Sequence, residues 1–274
     1  MKKIALILAI LMALFCFTAC GNNDSAKDSS KTSGDDNETV ITVGYTIYAP
    51  MNYLDESGKL IGFDTELAEQ VFENLGYKVI FKEINWNNKY TELSSGNVDC
   101  LWNGFTANTA DDDGVARSEK VDFSYNYMEN RQVVVIKEGT AISAAADLSG
   151  KLGAAESGSA GETYGQEFEG ATVKGVSKQT DALLEVNTGA VDFAVVDAQL
   201  AESYCGKGDY AQLSIVEALT SDVEYYAIGF KKGSDLTAKV NAQLEALAKD
   251  GSLLKLAEKY GMETSVLTDF SNQK

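Results

Sequence analysis

The residues of this chain best equipped to grip a small charged molecule are one arginine and one aspartate. Only Arg117 and Arg131 are arginines among 23 basic residues, in a chain with 41 acidic residues and no histidine. Without histidine there is no Ser-His-Asp or Cys-His catalysis and no histidine-based metal site. The four cysteines, at 16, 20, 100 and 205, have no CxxC spacing, so no metal and no cofactor is expected. A net charge of -18 repels nucleic-acid phosphates and anionic headgroups. What remains is recognition by ion pairing. The planar fork of Arg117 suits a carboxylate, and each hydrogen bond to a charged group contributes about 1.5–3 kcal/mol. Arg117 follows "ADDDGVA", and on local sequence alone a surface pair with Asp111, Asp112 or Asp113 is favoured. Asp197 ends the apolar stretch "FAVVD", where it either caps the helix "AQLAESYC" or waits for a cation. Placed on opposite walls of one cleft, the two match a zwitterion, as an amino acid is.

The elements that must position them alternate. "TVITVGY" reads as a β-branched strand and "YKVIFKEI" as another. Between them "DTELAEQVFENLG" is a helix with Leu67, Ala68, Val71, Phe72 and Leu75 on one stripe, Asp64 or Thr65 as cap and Gly76 as stop. Such alternation implies an α/β fold with mainly parallel sheets. "ELSSGNVDCLWNG" (92–104) and "EVNTGAVDFAVVD" (185–197) share Glu, Gly, Val and Asp in register, which implies two similar lobes. Gly104 and Asp197 then fall at equivalent strand ends, where open α/β sheets bind ligands. "QVVVIK" (132–137) and "YYAIGFKK" (225–232) are the candidate crossover strands, and the amphipathic C-terminal stretch should pack on the first lobe. Aromatics follow the strands: Tyr45 and Tyr48, then Trp86, then Trp102 and Phe105 around "NG". Trp102 reads as core; Tyr48 and Trp86 are the better candidates to cover a ligand side chain. "ESGSAGET" (156–163) is a Gly/Ser turn opening a helix, where free N–H groups accept anions.

The N-terminus, "MKKIALILAILMALFCFTAC", has two lysines and then an apolar run over residues 4–20. That is the pattern of a secretory signal. "FTAC" is similar to a bacterial lipobox, which implies cleavage before Cys20 and lipid on its thiol, enough for stable anchoring. Residues 21–38 lack large apolar side chains and read as a flexible tether.

The landmarks "VGY…YAP", "GKLIGFDTELAEQV", "GNVDCLWNGFT", "R-x3-VDFS", "DLSGKLGAAESGSAGE", "AVDFAVVD" and "EYYAIGFKKG" resemble those of the family 3 extracellular solute-binding proteins, over residues 40–262. The family comprises amino-acid receptors of ATP-driven (ABC) importers. The resemblance implies a two-lobed periplasmic-binding-protein-like fold, with two mainly parallel sheets, helices on both faces and two crossover strands. In outline, a leader (1–19) and a tether (20–38) precede lobe 1 (39–131 and 232–274), with lobe 2 at 132–231. It further implies that Tyr48 stacks on ligand and Trp86 is a pocket wall. Asn103, Gly104, Phe105 and Thr106 would receive the ligand head, Arg117 clamps its carboxylate with Ser159 and Ala160, and Asp197 accepts its ammonium. Two departures stand out. The family's Arg comes sooner after the position matched by Asn108, so "TADDDGVA" should bulge outward as a solvated insertion. Ala160 replaces a usual Thr and keeps only its N–H.

The expected function is a lipid-anchored, extracytoplasmic receptor passing a polar amino acid to an importer permease. Other classes on this fold are a cleft-carboxylate dehydratase and a ligand sensor. No paired acid and base carboxylates stand out for the former, and the chain ends at "DFSNQK" without the membrane helix usual in the latter. Glutamine, cystine, arginine, glutamate and analogues all fit as ligand. Excess negative charge would steer cations to the cleft, within the roughly 8 Å that salt allows. Cys100 and Cys205, in different lobes, should be unpaired.

Overall fold

The computed structural model describes residues 39–273. The leader, Cys20 and the tether lie outside the described residues. The first lobe begins with β1 (Thr39–Tyr45), continues through the short separate hairpin β2 (Tyr53–Leu54) and β3 (Leu60–Ile61), and reaches α1 (Phe63–Asn74). The helix buries Phe63, Leu67, Ala68, Val71 and Phe72, a stripe at helical spacing. Burying each large apolar side chain contributes about 1.5–3 kcal/mol. The helix start differs from expectation. Gly62 is the N-cap, with φ 131°, and a Cβ there would sit 2.1 Å from the Met51 carbonyl oxygen, so only glycine fits. Asp64 and Thr65 are therefore inside the first turn and buried, and Asp64 is free for another task.

β4 (Tyr77–Glu83) lies parallel to β1. A 3-10 turn at Trp86–Asn88, α2 (Lys89–Ser94), β5 (Cys100–Leu101), α3 (Arg117–Lys120) and β6 (Asp122–Phe123) follow. The chain then crosses through β7 (Met128–Asn130) into a second sheet: β8 (Gln132–Lys137), β9 (Leu152–Glu156), α4 (Ala160–Gln166), β10 (Thr172–Val176), α5 (Gln179–Thr188), β11 (Phe193–Asp197), α6 (Ala198–Tyr204) and β12 (Leu213–Thr220). It returns through β13 (Glu224–Tyr226) to β14 (Gly229–Phe230), α7 (Leu236–Asp250) and α8 (Ser252–Tyr260).

The strand orders are β4-β1-β5-β14-β6 and β10-β9-β11-β8-β12. They are the same order. In each sheet one strand runs antiparallel to its neighbours, β14 in the first and β8 in the second. Both are the strands that arrive from the other lobe. The parallel strands end at the cleft, so a strand entering from the cleft must run the other way. Side chains alternate across β11: Ala194 and Val196 pack with Ala182 and Leu183 of α5, while Phe193 and Val195 pack with Phe168 behind α4. Helices thus cover both faces of that sheet.

The internal repeat is structural. Gly96 and Gly189, φ 75° and 78°, stop α2 and α5. Asp99 accepts from the Thr42 N–H at 2.7 Å, and Asp192 accepts from the Leu152 N–H at 2.9 Å, each pinning the neighbouring parallel strand, β1 at its middle and β9 at its start. The lobe connection is shifted from expectation. The antiparallel pair that joins the sheets is β7 with β13, whereas Gln132–Lys137 lies inside the second sheet and Gly229–Phe230 inside the first. Gly251, φ 84°, separates α7 from α8, and Lys259 and Tyr260 both reach Glu66 of α1, which fixes the C-terminal helices to the first lobe. Cys100 is buried, Cys205 half-buried, and both are free thiols. Among the described residues no helix is long and apolar enough to cross a membrane.

Candidate functional site

The C-terminal ends of β1, β5, β9 and β11 converge on one narrow, polar cavity between the lobes. It is lined by Trp86, Asn103, Gly104, Thr106 and Arg117 of the first lobe and by Glu156, Ser159, Ala160, Gln179 and Asp197 of the second. Only about 10 Å³ is open among these side chains, roughly the room one water needs. A wider open groove of about 400 Å³ runs along the outer seam past Thr163, Tyr164 and Thr220 to Glu224, but the charged groups converge in the narrow cavity.

Arg117 resolves the two readings of its sequence by satisfying both. It is 1% exposed. Its Nε donates to Asp111 at 2.8 Å, Nη1 to the Thr106 carbonyl at 3.2 Å and Nη2 to the Gly158 carbonyl, in the other lobe, at 3.3 Å. The Phe105 ring lies 5.3 Å below the guanidinium carbon. The acidic insertion is not wholly solvated. It closes as a tight turn, with the Gly114 N–H bonded to Asp111 and the Asp111 N–H to Val115. That turn sends the Asp111 carboxylate back to Arg117, to Lys120 at 2.8 Å and to the Tyr90 hydroxyl at 2.5 Å. Burial works against the Asp111 charge, but Arg117 and Lys120 outweigh it and hold the carboxyl down at about 2. Asp112 and Asp113 stay exposed.

Asp197 occupies the N-cap position of α6 yet makes no side-chain capping bond. Its carboxylate instead accepts from the amides of Asn130, Gln132 and Gln179. Burial raises its pKa, and these amides oppose the rise. Glu224, on the crossing strand β13, shares two of those donors and also accepts from Thr106 at 3.2 Å. Burial, then the Asp197 charge, pushes Glu224 up to about 7. Glu156, at the end of β9, is 3% exposed and its Oε1 has no hydrogen-bond partner. Burial and then Asp197 raise it to about 8, against the pull of the Thr46 hydroxyl and Lys89. Three buried carboxylates thus gather here, Glu156 and Glu224 beside the expected Asp197, where no paired acid and base carboxylates were expected. Lys89 is also buried, over the Tyr90 ring at 4.7 Å, and donates to the Gly158 carbonyl at 2.8 Å. Burial, then the neighbouring Arg117, lowers it to about 8.

The remaining expected residues divide into wall and backing. Trp86 lines the cavity edge-on to Phe105, with ring centroids 5.1 Å apart. The Asn103 amide is consumed by Thr46 and Asn52, which ties the ends of β1 and β5 together. Gly104, φ 57°, donates its N–H to Asp64 at 2.7 Å. That bond is the task that draws Asp64 away from capping, and burial raises Asp64 to about 7. Ser159 caps α4 by accepting from the Glu162 N–H at 3.0 Å. Tyr48 and Phe105 do not line the cavity. Tyr48 lies behind Gly104, its hydroxyl 2.8 Å from that of Tyr226, and Phe105 supports Arg117. Trp102 is core, as expected.

Sequence reasoning missed Lys89, Glu156, Gln179 and Glu224. Glu156 had a signal: "LGAAE" ends on a carboxylate as "FAVVD" does. Gln179 comes to the cavity by the packing of α5 against β11, and Lys89 and Glu224 only through the crossing and closure of the two lobes.

Two α/β lobes of one topology, closed on a cavity with a guanidinium on one wall and a carboxylate on the other, define a bilobed solute-binding protein. Residues 41–263 match the model of the bacterial extracellular solute-binding proteins, family 3, and the chain belongs to that family. It is 29% identical to the arginine-binding extracellular protein ArtP of Bacillus subtilis, over 95% of this chain and 98% of that one. It is 30% identical to the L-cystine-binding protein TcyA of the same organism, over 95% and 97%. Among solved structures, an ancestral arginine-binding protein bound to arginine superposes with a TM-score of 0.74 at 33% identity, covering 81% of this chain and 98% of that one.

Proposed function

We propose that the protein is an extracytoplasmic receptor, anchored by lipid on Cys20, that closes its two lobes on a polar amino acid and delivers it to the permease of an ABC importer. The observation that carries this reading is that Arg117 and Asp197, from different lobes, line one cavity. Arg117 takes the ligand carboxylate with the N–H groups of Ser159 and Ala160, and Asp197 takes the ammonium. Gly104 and Thr106 contact the head from the first lobe, and Trp86 covers the side chain. Tyr48, Asn103 and Phe105 hold these groups from behind. With so little space open, binding requires the lobes to part. The short β7–β13 ladder is the hinge, and the Gly158 carbonyl holds Arg117 and Lys89 when they close.

The test is calorimetric titration with the common amino acids, with a thermal shift in parallel. A ligand at 100 times Kd stabilises by about 2.7 kcal/mol. Arg117→Ala and Asp197→Asn each abolish the response, and Cys20→Ser releases the protein from membranes. The absence of any amino-acid response in the parent protein would defeat the reading.

One observation favours a second reading. Glu156 and Glu224, buried with raised pKa values, resemble a tuned acid and base, as an elimination on a cyclic acid would need. Incubating the protein with each bound ligand and following it by NMR decides between them: the receptor reading requires unchanged ligand, and a dehydrated product would establish the enzyme.

A further inference from the structure

The head of an amino acid accounts for Arg117 and Asp197 and leaves Glu156 unexplained. This carboxylate is buried at the end of β9, lines the same cavity, and has an oxygen with no partner. Asp197 and Glu224 are each held by three side-chain donors, while no side-chain hydrogen bond reaches Glu156 Oε1. Lys89 offsets its charge only in part and makes no bond to it, because its amine is committed to the Gly158 carbonyl and faces Asp111 at 4.0 Å. Around the cavity stand Glu156, Asp197, Glu224 and, behind Arg117, Asp111; the cations are Arg117, Lys89 and, beside Asp111, Lys120, which leaves one carboxylate in excess when all are ionised. A neutral zwitterion adds one charge of each sign and leaves that excess in place. A buried carboxylate without a counter-charge is costly, and a cation brought beside it removes the cost.

We propose that Glu156 is the specificity residue of the site and selects an amino acid whose side chain carries a positive charge, by pairing with that charge. This rests on the receptor reading above. Trp86 supplies the apolar wall for the methylene stem of such a side chain. The raised pKa of Glu156 belongs to the site without a cation, so ligand binding draws its proton off.

The test is titration calorimetry on the purified protein with arginine, lysine, citrulline and glutamine. Citrulline has nearly the shape of arginine without its charge, so the wild-type ratio needs no variant. Arginine or lysine should bind at least tenfold tighter than citrulline or glutamine. Glu156→Gln should shrink that preference to within about threefold while citrulline and glutamine keep their wild-type affinity, which also shows that the variant is folded. Equal wild-type affinity for arginine and citrulline, or binding of glutamine alone, would overturn the assignment and leave the receptor reading standing. So would a Glu156→Gln variant that retains the full preference or loses all ligands alike. If no amino acid binds the wild type, both readings fail together.

Discussion

The acidic turn gives the sharpest prediction, because the Asp111 carboxylate braces Arg117 from behind. Asp111→Asn keeps the shape and an acceptor for Tyr90 but removes the charge shared by Arg117 and Lys120. Its pKa is held from 3.8 to about 2, and at about 1.36 kcal/mol per unit this corresponds to about 2 kcal/mol. The side chain is 14% exposed, so screening trims the expected loss to about 1–2 kcal/mol. For a folded body of this size that lowers Tm by roughly 2–8 °C at pH 7. The sign with pH follows from linkage. A carboxyl depressed in the folded state stabilises above its unfolded pKa, and that contribution is lost as pH falls from about 4 toward 2. The difference between wild type and variant, measured by urea unfolding, is therefore full at pH 7 and shrinks steadily below pH 4. Identical unfolding curves at pH 7 would refute the claim that this turn braces the arginine, and would return Asp111 to the solvated role its sequence suggests.

Gly104→Ala places a Cβ 2.8 Å from a Tyr48 ring carbon at a positive φ; the strain should cost about 1–3 kcal/mol and weaken ligand binding at least tenfold by calorimetry. Asp64 and Glu224, raised to about 7, and Glu156, raised to about 8, bind more protons folded than unfolded. The ligand-free protein should therefore lose stability as pH rises from about 5 to 8, and a urea midpoint that climbs over this range contradicts it. Lys89→Ala removes a bond from the first lobe to the Gly158 carbonyl of the second, so single-molecule FRET between labelled lobes should show a larger open fraction without ligand; an unchanged distribution would deny Lys89 that role.

Much of this was legible in the sequence because it rests on local rules. The stripe of α1, the glycine stops and the two G-x-V-D segments are short-range patterns, and each sits where the sequence puts it. Arg117 and Asp197 stood out because a guanidinium is scarce here and a carboxylate at the end of an apolar strand is uncomfortable. The first crossing strand was misplaced for a physical reason, while the second expected segment does include Tyr225 and Tyr226 of β13. Continuous apolar runs such as Gln132–Lys137 mark strands buried in a sheet, whereas the joining ladder is three residues on each side and includes Glu129, Asn130 and Glu224. Asp64 looked like a cap because caps are the usual use of Asp at a helix start; its bond to Gly104 spans 40 residues of sequence and leaves no local trace. Lys89 and Glu224 acquire meaning only from the lobe opposite, and Gln179 only from Asp197 of its own lobe.

A crystal structure with the tightest-binding amino acid tests the central claim most directly. The account predicts the ligand carboxylate within hydrogen-bond distance of the Arg117 guanidinium and its ammonium on Asp197. A ligand seated in the outer seam groove beside Thr163 and Tyr164, with Arg117 still bonded to the Gly158 carbonyl, would contradict it.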